Sequence, residues 1–377
     1  MEIKNIAIIG SGFMGSGIAY VSARNGYNVY LVDVDQAALE RGMERLRSDV
    51  MTGIEKGKMS MSEAEGMMGR IKSTVKLEDA VKDADLVVEA IFENMEVKKK
   101  TFTQVDKVAP PHAIFATNTS SLSIDELATA TKRPDKFIGM HYFSPVASMK
   151  LLEVVIGKKT TEDTVQVAFA VGKKQGKTPV RAKNSPGFIV NRILMPVMRE
   201  AIFLYEKGVA TKEEIDTALT TIGKFQAGPF TLGDFVGLDV TYNAMSTLYR
   251  ELGDCFKPPE TLKKLVESGA LGMKAKKGFY AYGGAKSEPD KPKGANLQMI
   301  VNRITIPVIR EAMILVDQGI ATKADIDQAM KLGASFPVGP FEMAEKIGMD
   351  KVKAEIEKLN KELGACYSVP KMLQTGK

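Results

Sequence analysis

Residues 6–15 read Ile6-Ala7-Ile8-Ile9-Gly10-Ser11-Gly12-Phe13-Met14-Gly15, and this stretch decides the fold. The apolar run predicts a buried strand that ends at Gly10. A helical stretch carrying Ile18, Ala19, Val21 and Ser22 follows. Gly10, Gly12 and Gly15 supply a G-x-G-x-x-G spacing. In that spacing one glycine makes the tight turn, one lets backbone approach a pyrophosphate and one lets helix pack on strand. Phe13 and Met14 fill the places before the third glycine and belong to the same cofactor-facing loop. The phosphates are expected at the helix N-terminus, where unpaired N–H groups and the helix dipole favour anions. A second predicted strand, 29–32, ends in Asp33, about where an acid takes the ribose hydroxyls of a dinucleotide. Asp35 follows closely, and two carboxylates would repel a 2′-phosphate, which points to NAD rather than NADP.

Up to about residue 183, strand and helix signals alternate. Apolar segments recur at 85–89, 113–116, 136–142 and 151–156, with helical stretches such as 94–108 and 162–175 between them. Such alternation predicts a mostly parallel, doubly wound sheet of the Rossmann type. Residues 35–70 read as two charged amphipathic helices. Six methionines lie between Met43 and Met68, expected mainly as packing between those helices.

Beyond residue 186 the pattern becomes helix after helix, and it is duplicated. Aligning 189–262 on 300–373 without a gap matches 31 of 74 positions, an internal repeat offset by 111 residues. The expected organisation is a dinucleotide-binding domain (1–183), a first helical domain (184–283), a solvated linker (284–294) and a second, truncated helical copy (295–377). Cys255 and Cys366 occupy equivalent places in the two copies. Each is expected as a small buried side chain rather than as a disulfide partner or nucleophile.

The chain has 377 residues, 44% of them hydrophobic, and a formal net charge of +6. Its lysines are scattered and rarely interleaved with aromatics, so nucleic acid is not indicated. No apolar run approaches the roughly 20 residues of a membrane span. No leader is visible before the first strand, so the expected location is cytoplasmic. Two cysteines and two histidines offer no metal cluster.

A nicotinamide cofactor implies hydride transfer, and the partner reaction must move a proton on or off an oxygen. His141, at the end of a predicted strand, is the candidate base. The other histidine, His112, lies in a Pro-Pro-His turn that reads as exposed. Glu153, an acid among Leu151, Leu152, Val154 and Val155, needs a partner, and His141 suits it. The hydroxyls of the segment 118–122 suit a helix cap near Ser123 or a substrate oxygen.

The motifs GSGFMG (10–15), VVEAIFEN (87–94), ATNTSSL (116–122), GMHYFSPV (139–146) and NSPGFIVNR (184–192) jointly resemble the L-3-hydroxyacyl-CoA dehydrogenase family, including 3-hydroxybutyryl-CoA dehydrogenases. The likeness covers residues 1 to about 282, and the repeated tail resembles the doubled unit of multifunctional fatty-acid oxidation enzymes. The resemblance implies NAD-dependent oxidation of (S)-3-hydroxyacyl-CoA in β-oxidation-type metabolism. It implies His141 as base, Glu153 as its partner, and Ser120 and Asn191 on substrate oxygens. Cofactor contacts fall on Asp33, Glu93, Lys98 and Lys274. Of the family's CoA-contacting pair, the lysine matches Lys56, while Asp49 stands where a serine is expected. An acid there repels the 3′-phosphate unless a lysine intervenes. Asn302 and Arg303 reproduce Asn191 and Arg192 without an accompanying site, which suggests service to the helix pair. In single-copy relatives this helical unit forms the dimer interface. The second copy is thus expected to act as an intramolecular pseudo-dimer partner, with further homo-oligomerisation left open. The alternatives are a dehydrogenase of a non-CoA hydroxy acid and a non-catalytic, crystallin-like dinucleotide-binding protein.

Overall fold

In a computed structural model of the chain, which describes residues 1–283 and 290–374, the strand signals resolve into one eight-stranded sheet. Its strands are β1 (Asn5–Ile9), β2 (Asn28–Val32), β3 (Ile71–Thr74), β4 (Leu86–Glu89), β5 (Ile114–Thr117), β6 (Phe137–Tyr142), β7 (Leu151–Ile156) and β8 (Thr178–Lys183). They lie in the order β3-β2-β1-β4-β5-β6-β7-β8. All neighbours are parallel except β6 and β7, which run antiparallel. The order reverses direction between β1 and β4, the kind of crevice in which open α/β sheets bind ligands. β1, β4, β5 and β6 are almost wholly buried, as expected for strands covered on both faces.

Helix α1 (Phe13–Arg24) follows β1. The excursion between β2 and β3 consists of α2 (Gln36–Glu55) and α3 (Met61–Gly69). Asp35 caps α2 by accepting from the Ala37 and Ala38 N–H groups, and Ser60 and Glu63 form a capping box on α3. Met59 and Met67 are buried, and Met43 and Met68 pack against the same core. Met51 and Met61 are exposed, so most of the methionines fill gaps between helices.

The chain forms two compact units, Met1–Ser185 and Pro186–Lys377. The second is helical and contains both copies of the repeat. Helices Val190–Glu206 and Leu297–Asp317 are the equivalent long helices, and they pack together. Of the expected linker, residues 284–289 lie outside the described residues. Lys293, Gly294 and Ala295 donate backbone N–H groups to Glu214.

The two cysteines correct the sequence expectation. They are not separate buried thiols; Cys255 and Cys366 are joined by a disulfide, with 5.1 Å between their Cα atoms. The same positions of the two copies meet each other. Phe225 and Phe336, also 111 residues apart, do likewise, with ring centroids 4.9 Å apart. Around these self-pairs the contacts are reciprocal. Arg192 bonds Glu311 at 2.7 Å, and Arg303 bonds Glu200, which is the same pair with the copies exchanged. Such i-to-j and j-to-i pairing is the mark of an isologous contact. The sequence shows the repeat but not which residues of its two copies meet.

Candidate active site

The three glycines of the nucleotide loop have separable roles. Gly10 has φ +101, and a Cβ there would lie 2.5 Å from the Ala90 carbonyl oxygen. A Cβ on Gly15 would lie 1.8 Å from the Gly10 carbonyl oxygen, so helix and strand touch at this point. A Cβ on Gly12 would meet nothing within 4 Å. The loop therefore keeps an empty cradle at Gly12, directly before α1, and no side chain caps that helix N-terminus. Bare N–H groups beside an open cradle fit a pyrophosphate. Asp33 stands at the end of β2. Its Oδ2 accepts from the Ser11 N–H at 2.8 Å and the Ser11 hydroxyl at 2.9 Å, and its Oδ1 accepts from the Val34 N–H.

Beyond the crevice, β4 ends in Glu89, which is fully buried. It receives Lys98 at 2.5 Å, the Thr117 hydroxyl at 2.7 Å and the Ile91 N–H. Lys98 is only 1% exposed and also faces Glu93 at 3.3 Å, so its charge acts on the site through Glu93. Glu93 gathers the loop after β5. Its Oε1 accepts from the Thr119 hydroxyl, the Ser120 N–H and the N–H and hydroxyl of Ser121. Desolvation pushes the Glu93 pKa up, but Lys98 and the Thr119 and Ser120 hydrogen bonds outweigh it and hold the carboxylate below its ordinary value. Ser123 caps helix Ile124–Ala128 as expected, while Ser120 is left to the Glu93 cluster. Asn118 accepts from the Tyr142 N–H, tying this loop to β6.

His141 lies near the end of β6, directly opposite Glu153 in the antiparallel register with β7. Its Nδ1 is 2.6 Å from Glu153 Oε2, and Glu153 is fully buried. The one antiparallel pair of the sheet is thus the device that brings acid to imidazole. The twelve-residue spacing announces the partners but not this register. His112 instead pairs with Asp85 at 3.0 Å on the surface.

Lys56 ends α2, and Asp49 lies seven residues earlier on the same helix, both exposed. Asn191 and Lys274 belong to the second unit. Asn191 opens helix Val190–Glu206, and Lys274 pairs with Asp239 at 2.6 Å. The sequence reading missed Ser11 and Glu89. The signal for Glu89 was present, since an acid closing the run Leu86-Val87-Val88 needs a buried partner. Among the described residues no helix is long and apolar enough to cross a membrane.

Comparisons with known proteins follow the same outline. Residues 5–185 match the NAD-binding domain of 3-hydroxyacyl-CoA dehydrogenase, and residues 187–282 and 299–376 match its C-terminal domain. A Bacillus subtilis protein called a probable 3-hydroxybutyryl-CoA dehydrogenase is 44% identical over 283 residues, covering 75% of this chain and 98% of that one. The fatty acid oxidation complex subunit alpha of Idiomarina loihiensis is 35% identical over 370 residues, covering 93% of this chain and 51% of that one. The crystal structure of 3-hydroxybutyryl-CoA dehydrogenase from Escherichia coli K12 superposes with a TM-score of 0.94 at 28% identity, covering 100% of this chain and 98% of that one. With the nucleotide loop and the strand-end cluster already in view, these matches run over nearly the whole length: the chain belongs to the 3-hydroxyacyl-CoA dehydrogenase family and is an NAD-dependent oxidoreductase.

Proposed function

We propose that the enzyme oxidises short-chain (S)-3-hydroxyacyl-CoA, of the 3-hydroxybutyryl type, to 3-oxoacyl-CoA and catalyses the reverse reduction, with His141 exchanging the proton. The observation that carries this is the His141–Glu153 pair, 2.6 Å apart at the strand ends where the nucleotide loop also lies. The Glu153 carboxylate faces Nδ1, so proton exchange with the 3-hydroxyl belongs to Nε2. Glu153 orients the ring and stabilises the imidazolium that forms. Ser120, held by Glu93, and Asn191 contact the substrate's 3-oxygen or thioester. Gly10, Gly12, Phe13, Met14 and Gly15 with the α1 N-terminus hold the pyrophosphate. Asp33 takes the adenosine ribose. Glu93 and Lys98 contact the cofactor, and Lys274 lies near the nicotinamide end. NAD, when bound, accepts hydride from carbon 3.

Lys56 is the cation for the CoA phosphate. Asp49, an exposed acid on the helix that Lys56 ends, favours a second reading, a hydroxy acid without CoA. The second helical copy acts as a dimer partner supplied in cis, supported by the reciprocal Arg192–Glu311 and Arg303–Glu200 pairs. We place the enzyme in the cytoplasm.

The test is NADH oxidation with acetoacetyl-CoA, longer 3-oxoacyl-CoAs and free 3-oxo acids. For His141→Gln, turnover falls by about a thousandfold while NADH binding, read by fluorescence, is retained. Near-normal turnover of that variant overturns the role of His141, and faster reaction with free acids overturns the CoA assignment.

A further inference from the structure

We propose that Ser11, the residue between the first two glycines of the loop, sets the dinucleotide preference by holding Asp33 in one orientation. This rests on the reading of Asp33 as the ribose-gripping acid and adds the residue that aims it. Ser11 is fully buried. Its hydroxyl hydrogen has two acceptors in reach, Asp33 Oδ2 at 2.9 Å and the Ala38 carbonyl of α2 at 2.8 Å. The ionised carboxylate is the stronger acceptor. Oδ2 therefore receives two donors from Ser11, the N–H and the O–H, while Oδ1 receives only the Val34 N–H. A carboxylate has about four acceptor directions. Three are filled by the protein, and the fourth, on Oδ1, is the one offered to a ligand hydroxyl. A carboxylate pinned in this way accepts from one ribose hydroxyl and cannot turn away from a 2′-phosphate.

Ser11 is itself immobilised. Arg45 Nη2 donates to its carbonyl at 2.8 Å, and α2 approaches so closely at Gly42 that a Cβ there would lie 2.7 Å from Ser11 Cβ. The loop thus presents a rigid donor pair to Asp33, and Ser11 is a positioning residue rather than a ligand contact.

Ser11→Ala removes the hydroxyl and keeps the N–H. NADH and NADPH dissociation constants are measured by fluorescence for wild type, S11A, D33A and the double variant, with melting curves of each without dinucleotide. NADH binding by S11A is expected to weaken about tenfold. NADPH binding is unchanged or tighter, so the preference ratio falls by at least as much. In the D33A background, S11A has no further effect. Equal weakening of both dinucleotides with a lowered melting temperature shows Ser11 only tying α2 through Ala38, and it overturns the proposal. Additive losses in the double variant overturn it too. If D33A alone leaves NADH affinity intact, the reading of Asp33 fails, and the assignment of Ser11 falls with it.

Discussion

Replacing Glu311 by Gln removes one buried charge from the contact between the two helical copies and leaves its shape. Glu311 is 4% exposed and lies 2.7 Å from Arg192 and 3.5 Å from Arg310. At an effective dielectric near 20 these two attractions are each about 5 to 6 kcal/mol, a ceiling before the carboxylate's own desolvation is returned. Breaking a buried pair by neutralising one partner leaves a net loss of about 3 to 5 kcal/mol. Here the change takes one carboxylate from two cations, while Arg310 keeps the Ser368 carbonyl and hydroxyl. Burial lowers the Arg310 pKa; Glu311 opposes that shift, and the neighbouring Arg192 adds to it. For a unit of this size the loss lowers the melting temperature by about 6 to 20 °C. The chain has no tryptophan, so unfolding is followed by far-ultraviolet circular dichroism. If the two units melt separately, the shift belongs to the second unit's transition. Glu251→Gln, at a pair with Arg250 that is half exposed, is the control and should shift little. A Glu311→Gln protein that melts within about 2 °C of wild type, under 1 kcal/mol, refutes the view that Arg192 is kept for the helix pair.

Three other outcomes are expected. Gly12→Ala leaves the melting curve unchanged but weakens NADH binding about tenfold or more, because its methyl fills the cradle; Gly15→Ala instead destabilises the first unit by about 1 to 3 kcal/mol through overpacking. Acid weakens the first unit as pH falls below 4.5, the unfolded-state value for a glutamate, because the folded pKa of Glu93 is depressed and its contribution is lost as it protonates; a Glu93→Gln variant with the same pH slope as wild type contradicts this. Reducing Cys255–Cys366, which closes a 111-residue separation, costs about 5 kcal/mol of second-unit stability on loop entropy, and a melting temperature indifferent to reductant rules that out.

Much of this molecule was readable because its informative residues announce themselves locally. Runs such as Ile6–Ile9 and Leu86–Val88 are apolar throughout because both faces of the strand are covered. β3 and β8 were not read, because they are edge strands. Their polar, half-exposed sequences, Ile-Lys-Ser-Thr and Thr-Pro-Val-Arg-Ala-Lys, carry neither a buried run nor a clean alternation. His141 and Glu153 were found from scarcity and setting, yet their meeting depends on a strand direction that residue types do not encode. Ser11 was invisible for a similar reason. A serine between glycines looks like loop until a helix twenty-odd residues later closes over it. The disulfide and the exchanged ion pairs needed the relation between copies, which is a property of space and not of spacing.

The reciprocal contact between copies also frees the chain from a rule that binds true homodimers, in which every interface mutation is made twice. Tyr367 stands where the first copy has Phe256, and its hydroxyl reaches Glu200 at 2.5 Å and Arg199 at 3.0 Å, an addition made on one side only. Lys346 and Lys351 likewise replace the exposed Phe235 and Val240 of the first copy. With both halves in one gene, one can specialise while the other becomes scaffold, and dilution cannot separate them.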